Sequence, residues 1–149
     1  MNRTQWEILQ RARGRLAEPQ RWARGAAARN AAGEESLTLE EQGAVAWDIV
    51  GAVAEEAGEV ITDAFCWILE DSDCETVLLE IAKRLPSHYR IEPRTGLARL
   101  WAGWVGARTT YTGNEACTDI MCWQDLEGRQ HAEVLELLDR TLNETTPEP

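Results

Sequence analysis

The sequence has few residues of several kinds, and these shortages exclude some classes of protein. It contains one Phe and two Tyr, and Lys83 is its only lysine. No apolar run approaches the roughly 20 residues that a membrane-spanning helix needs, so an integral membrane protein is not expected. The first ten residues, MNRTQWEILQ, lack the apolar segment of a secretory signal. We therefore expect a cytoplasmic protein.

Cysteine and histidine are also scarce. The cysteines are Cys66, Cys74, Cys117 and Cys122, and there are two His. Four cysteines allow two disulfides, but reduced thiols are expected where no secretion signal is present. The spacing of Cys117 and Cys122 does not fit the usual zinc frames, and on a helix these two thiols point to different faces. The sequence also lacks a Gly-rich phosphate loop and a paired-His metal motif. We predict neither a metal site nor a cofactor.

The composition is that of one globular domain. The chain has 149 residues, of which 44% are hydrophobic and 28% charged, values typical of a folded domain. Most of the seven Trp are expected to anchor the core, because each buries a large apolar surface. We predict a single helical domain over residues 1–143 and a disordered tail over 144–149.

Helix starts are indicated by a repeated capping-box pattern. In this pattern a Ser or Thr caps the first turn and a Glu three residues later reaches back to the cap. The pattern occurs four times, at Thr4/Glu7, Thr38/Glu41, Ser72/Glu75 and Thr112/Glu115.

Apolar residues recur every three to four positions, which predicts an all-α fold of five to seven helices. The Ala- and Gly-rich residues 23–37 are expected to form a loop, and one short strand pair is an option near residues 87–95. The predicted helices cover residues 5–17, 39–57, 60–70, 77–85, 97–105, 115–123 and 130–143.

Charge is distributed unevenly along a chain whose net charge is -11. Residues 1–33 hold seven Arg and two Glu, whereas residues 34–92 hold three basic and fifteen acidic residues. An acidic surface over residues 34–80 should repel nucleic acid and membranes and attract a basic protein, although such charge also serves solubility alone. The candidate binding residues are Glu40, Glu41, Asp48, Glu55, Glu56, Glu59, Asp63, Glu70, Asp71 and Asp73.

The N-terminal arginines allow two interpretations. They could contact phosphates, but a nucleic-acid-binding protein is usually basic overall, so nucleic acid is not the expected partner. The alternative is that they pair with the acidic middle of the same chain or of a second copy, which would make a homo-oligomer. The residues concerned are Arg11, Arg13, Arg15, Arg21, Arg24 and Arg29.

One acid–base arrangement is an alternative candidate for chemistry. Asp125 could orient the imidazole of His131, which exchanges a proton near neutral pH. Asp48 follows a Trp on a predicted helix, where burial would raise the pKa of its carboxyl group. The simpler interpretation is that Asp125 supports a turn, His131 is exposed and Asp48 caps a helix or faces solvent. We predict no catalytic residues and keep this arrangement as the alternative.

Three motif segments resemble a known protein family. Residues 22–33, WARGAAARNAAG, have the pattern W-x-x-G-x-x-A-R-x-x-x-G; residues 46–52 read AWDIVGA, and residues 123–125 read WQD before an EVL-containing helix. These segments resemble a family of uncharacterised small proteins of actinobacteria and their phages. Asp48 stands where that family often has Cys, and Gln124 where it usually has Asn.

The resemblance covers residues 6–54 and 120–142 and leaves out the middle, 58–118. It implies a bacterial or phage origin and a compact helical fold, and it carries no activity.

Three functions remain open from the sequence. The favoured one is a non-enzymatic accessory or regulatory factor that presents its acidic surface to a basic protein, in a bacterium or in the host of a phage; an anti-defence or DNA-mimicking role would be a special case. The alternatives are a small enzyme built on Asp125, His131 and Asp48, and a structural homo-oligomer.

Overall fold

The computed structural model describes residues 1–35, 43–59, 72–86 and 112–147. Within these ranges the protein is mainly helical, as predicted, and has five α-helices and one two-stranded antiparallel sheet. The elements are α1 (Arg3–Arg15), a short 3-10 helix (Pro19–Arg21), β1 (Ala28–Asn30), β2 (Ala44–Trp47), α2 (Ile49–Ala57), α3 (Asp73–Ala82), α4 (Gly113–Gln124) and α5 (His131–Glu144).

Helix α1 begins two residues before its predicted start. The expected cap, Thr4, lies inside the helix, and Asn2 is the cap instead. The Asn2 side chain accepts a hydrogen bond from the Gln5 N–H at 2.9 Å, and the Gln5 side chain accepts one from the Asn2 N–H at 2.8 Å. The capping box is therefore present with Asn and Gln in place of Thr and Glu.

Two of the four predicted caps, Ser72 and Thr112, are confirmed. Ser72 accepts a hydrogen bond from the Glu75 N–H at 3.1 Å and starts α3. Thr112 starts α4 with both hydrogen bonds of a capping box to Glu115. The remaining capping pattern, Thr38/Glu41, lies outside the described residues.

The helix predicted over residues 39–57 is wrong over residues 44–47, and its residues 39–42 lie outside the described ranges. Ala44–Trp47 is a strand, and α2 starts only at Ile49. Asp48 caps α2 by accepting a hydrogen bond from the Gly51 N–H. Val45, expected to face inward, is 47% exposed on the strand. The run AVAW fits a strand as well as a helix, because β-branched and aromatic residues suit a pleated surface.

The strand pair joins part of the predicted loop to this misassigned segment. β1 pairs antiparallel with β2, with Ala28 opposite Trp47 and Arg29 opposite Ala46. The pairing is irregular between Arg29 and Asn30. The predicted strand pair near 87–95 and the predicted helices 60–70 and 97–105 lie outside the described residues.

The core lies between the helices and is mainly aliphatic. Helix α1 packs against α2, α3 and α5, and α3 packs against α4. Of the four tryptophans in the described ranges, Trp47 and Trp123 belong to the core, while Trp6 and Trp22 are half-buried. The largest fully buried side chains are Leu9, Leu16, Ile49, Leu78, Ile81, Leu85, Ile120, Leu138, Gln124, Val50, Val53 and Val77.

Candidate functional site

The three motif segments, residues 22–33, 46–52 and 123–125, meet at one place in the fold, which we call the motif junction. Backbone hydrogen bonds join the first two segments. The Asp48 N–H donates to the Ala27 carbonyl at 3.0 Å, and the Ala23 N–H donates to the Trp47 carbonyl at 2.8 Å. These bonds fix the start of α2 against the chain that precedes β1.

A buried pair of side chains joins the second segment to the third. The Gln124 Nε2 donates to Asp48 Oδ2 at 2.8 Å, and the Ile49 N–H donates to Gln124 Oε1 at 3.0 Å. Asp48 and Gln124 are both fully buried. The amide of Gln124 thus links the last turn of α4 to the first turn of α2, and it satisfies polar groups that burial would otherwise leave unpaired.

The third segment also returns to the first. Asp125 Oδ1 accepts a hydrogen bond from the Gly25 N–H at 2.9 Å. Gly25 has φ 67°, a left-handed conformation that glycine adopts without strain. The Arg24 guanidinium donates to the Asp125 carbonyl at 2.9 Å and to the carbonyl of Leu126. Each pair of motif segments is therefore joined by hydrogen bonds.

Gly51 is required by a close backbone approach at the junction. A Cβ atom at this position would lie 2.0 Å from the Ala27 carbonyl oxygen, which is part of the backbone and has little freedom to move away. The absence of a side chain thus lets α2 lie directly against the first motif segment.

The carboxyl group of Asp48 keeps its proton to a much higher pH than the carboxyl group of an exposed Asp does. The pKa of Asp48 is raised to about 7, first by burial and to a smaller extent by the nearby charge of Asp125. The hydrogen bonds from the Gly51 N–H and the Gln124 amide lower it. A backbone hydrogen bond from Val50 lowers it too. Burial prevails because removing a carboxylate from water costs more free energy than these neutral hydrogen bonds return.

The acid–base candidates Asp125 and His131 are not hydrogen-bonded to each other in the described part of the chain. The Asp125 carboxylate bonds the Gly25 N–H, as above. A ring nitrogen of His131, Nε2, lies 2.7 Å from the Leu16 carbonyl oxygen. The His131 ring centroid is 6.0 Å from that of Trp22. Each polar group thus connects a helix end to another segment, and His131 is half-buried, not exposed as the simpler interpretation expected.

Arginine side chains lie over the indole rings around the junction. The guanidinium carbon of Arg15 is 4.4 Å from the Trp47 ring centroid, and that of Arg24 is 5.6 Å from the Trp22 centroid. Among the described residues, the indole N–H groups of Trp22 and Trp47 are buried without a hydrogen-bond acceptor.

Two of the predicted acidic binding residues pair with arginines of α1. Glu56 accepts hydrogen bonds from Arg11 at 3.1 Å and from Arg15 at 2.8 Å. Glu55 lies 4.0 Å from Arg15. The prediction that N-terminal arginines pair with the acidic middle of the same chain is confirmed for these two arginines.

The other acidic candidates have different surroundings. Asp73 accepts a hydrogen bond from the Gln5 side chain at 2.8 Å, and Glu59 is half-buried after α2. Asp48 lies in the motif junction and is not on the surface. The candidates Glu40, Glu41, Asp63, Glu70 and Asp71 lie outside the described residues.

The remaining N-terminal arginines differ in their surroundings. Arg13 pairs with Asp139 of α5 at 2.7 Å, and its hydrogen bond lowers the pKa of that carboxyl group. Arg29 donates to the carbonyls of Gly33 and Arg24, and Arg21 is exposed.

The described ranges lack the features of a metal site and of a membrane-spanning helix. They contain no cluster of three His, Cys, Asp or Glu side chains suited to a metal ion. They also contain no helix that is both long enough and apolar enough to span a bilayer. Cys74 and Cys117 are buried and Cys122 is exposed, whereas Cys66 lies outside these ranges.

Sequence reasoning did not identify Gln124 as the partner of Asp48 or the role of Gly51. The sequence signal that could have pointed to these two residues was the set of motif segments, since the segments contain both of them.

A protein-family model matches residues 1–144, which is nearly the whole chain. The chain belongs to DUF6197, a family of unknown function. The resemblance to an uncharacterised family is confirmed at this level, and the family match also includes the middle residues, 58–118, that the motif resemblance left out. No curated protein and no solved structure gives a significant match.

Proposed function

We propose that this DUF6197 protein is a non-enzymatic accessory or regulatory factor that binds a basic protein through an acidic surface within residues 34–80. We also propose a bacterial or phage origin and a cytoplasmic location. An anti-defence factor or a DNA mimic is the special case in which the partner normally binds DNA.

The observation that carries the proposal is the pairing of the α1 arginines within the chain. Arg11 and Arg15 bond Glu56, and Arg13 bonds Asp139. Guanidinium groups held by carboxylates have little charge left for phosphates, which supports a partner other than nucleic acid. The chain retains its net charge of -11, and a surface of that sign attracts basic partners.

The surroundings of Asp48, Asp125 and His131 favour a binding function over the acid–base alternative. Asp48 is fully buried and caps α2, so a substrate has no access to its carboxyl group. Asp125 and His131 each bond a backbone group of another segment. A catalytic acid or base needs its proton-transfer atom within hydrogen-bond reach of a substrate.

The same ion pairs make a structural homo-oligomer the less favoured alternative. A basic N-terminal segment that docks on a neighbouring copy needs unpaired arginines, and those of α1 bond their own chain. The ion pairs also reduce the number of acidic residues available to a partner, because Glu55 and Glu56 lie beside arginines. We propose that the partner contacts the remaining acidic candidates, which are Glu40, Glu41, Glu59, Asp63, Glu70, Asp71 and Asp73.

The test is a pull-down from bacterial lysate over a salt series from low to high ionic strength. Tagged wild-type protein is compared with the double variant E40Q/E41Q and with E127Q/E136Q, which removes the same charge from exposed residues outside the proposed surface. We expect the partner to elute as salt rises, because screening weakens contacts between exposed charges. E40Q/E41Q should release it at lower salt than E127Q/E136Q.

The proposal would be contradicted if binding of the partner did not change with salt concentration. It would also be contradicted if the two double variants weakened binding equally. Adding duplex DNA tests the special case, since a partner that normally binds DNA should then be released from the resin.

A further inference from the structure

Two buried indole N–H groups beside the motif junction have donor capacity that the described chain does not use. Neither Trp22 Nε1 nor Trp47 Nε1 has an acceptor among the described residues, and Trp47 is only 7% exposed. By contrast, Trp6 Nε1 donates to the Leu142 carbonyl at 3.3 Å. A buried donor without an acceptor costs about 1–3 kcal/mol, so such groups in a folded protein call for a partner.

The two tryptophans belong to one local structure. Their backbones are bridged in parallel, Trp22 beside Trp47, and the Ala23 N–H bonds the Trp47 carbonyl. Residues paired across such a bridge project their side chains to the same side of the ladder. Trp22 is half-buried and Trp47 is buried, so the pair extends from the surface into the core.

The charge around the pair favours an anion as the acceptor. Arg15 lies over the Trp47 ring and Arg24 over the Trp22 ring. A cation over an indole face withdraws electron density from the ring, which strengthens the N–H as a donor. Arg15 is neutralised by Glu56. Arg24 donates to backbone carbonyls and forms no ion pair within the described ranges, so it keeps its positive charge.

We propose that the Trp22–Trp47 pair binds a small oxyanion, a carboxylate or a phosphate, through its two indole N–H groups, with Arg24 providing the compensating charge. Such an anion offers several oxygen acceptors, and hydrogen bonds to an ionised acceptor are stronger than those to a neutral one. This proposal does not rest on the proposed function, because it uses none of the acidic candidate residues.

The test follows the indole N–H signals of 15N-labelled protein by NMR. The variants W22F and W47F assign two of these signals, and W6F assigns a third as the control. Sodium acetate and sodium phosphate are titrated separately, with sodium chloride keeping the ionic strength constant. We expect saturable downfield shifts of both the Trp22 and Trp47 signals with at least one of the two anions. The Trp6 signal, already hydrogen-bonded, should stay in place.

Substitutions give a second readout of the same site. R24Q should weaken the binding of the responding anion about tenfold, through loss of a charged partner. R21Q removes an exposed arginine at the end of the preceding 3-10 helix and should leave binding unchanged. The proposal is overturned if neither anion shifts the two signals, if chloride produces the same shifts, or if R24Q and R21Q behave alike. The anion that saturates at lower concentration identifies the class of ligand.

Discussion

Replacing Asp48 with Asn should change how the free energy of unfolding depends on pH. The pKa of Asp48 is about 7 in the folded protein and 3.8 for an exposed Asp. Because the folded-state value is raised, the protonated carboxyl group stabilises the fold at low pH. This contribution is lost as pH rises through about 7.

The magnitude follows from the two pKa values. Between about pH 5 and about pH 8 the wild type should lose about 3 kcal/mol of stability through Asp48 alone, because each tenfold difference in proton affinity between the folded and unfolded states corresponds to about 1.4 kcal/mol. Asn keeps the size of the side chain and accepts from the Gly51 N–H. It does not titrate, and its amide is a poor partner for the Gln124 Nε2 donor. D48N should therefore be less stable than wild type at pH 5 and recover about 3 kcal/mol relative to it by pH 8.

Urea unfolding followed by tryptophan fluorescence at several pH values measures this difference. Subtracting the two proteins' curves removes groups that titrate in both, such as Asp139, whose lowered pKa has the opposite effect. S72A is the matched control, because it removes a cap from α3 that carries no titratable group. A difference between wild type and D48N that is constant with pH would refute the reasoning.

Three further variants test contacts by urea unfolding near pH 7. G51A should lower the free energy of unfolding by about 1–3 kcal/mol through its clash with a backbone carbonyl; G14A, with open space around it in α1, should raise it by about 0.5–1 kcal/mol. Q124L should cost about 2–5 kcal/mol, because two buried groups lose their partner. R15A should cost about 1–2 kcal/mol by loss of its ion pair and its indole contact, and R13A, in a more exposed pair, less than about 1 kcal/mol.

Each of these comparisons has an outcome that would contradict it. Equal effects of G51A and G14A would mean that the backbone at the junction moves freely. A Q124L protein as stable as wild type would remove the argument for the buried pair. A larger loss for R13A than for R15A would mean that the indole ring adds nothing.

Much of the helical structure was accessible from sequence, because its signals are local. Helix α5 was predicted over 130–143 and spans His131–Glu144, since its apolar period is regular and long. The caps Ser72 and Thr112 were correct for the same reason, because a cap depends on residues three positions away.

The strand β2 and the motif junction were less accessible. Ala44–Trp47 forms a strand because β1 pairs with it, and that pairing is not visible in the segment itself. Asp48 was recognised as a candidate for burial with a raised pKa, but its partner lies on α4, far along the chain. Contacts over such a separation depend on tertiary packing, which local periodicity does not record.

The packing of α1 on α5 has a consequence for the order in which the chain becomes stable during its synthesis. Trp6 bonds the Leu142 carbonyl, and Arg13 bonds Asp139, so the packing of α1 is complete only after α5 has been made. Helices α2 and α3 cover part of α1 earlier, but the side of α1 that faces α5 stays exposed until α5 has been made. A nascent chain in that condition is prone to aggregate, and many contacts of high sequence separation slow folding. The described helices should therefore reach their final packing only after α5 has been made.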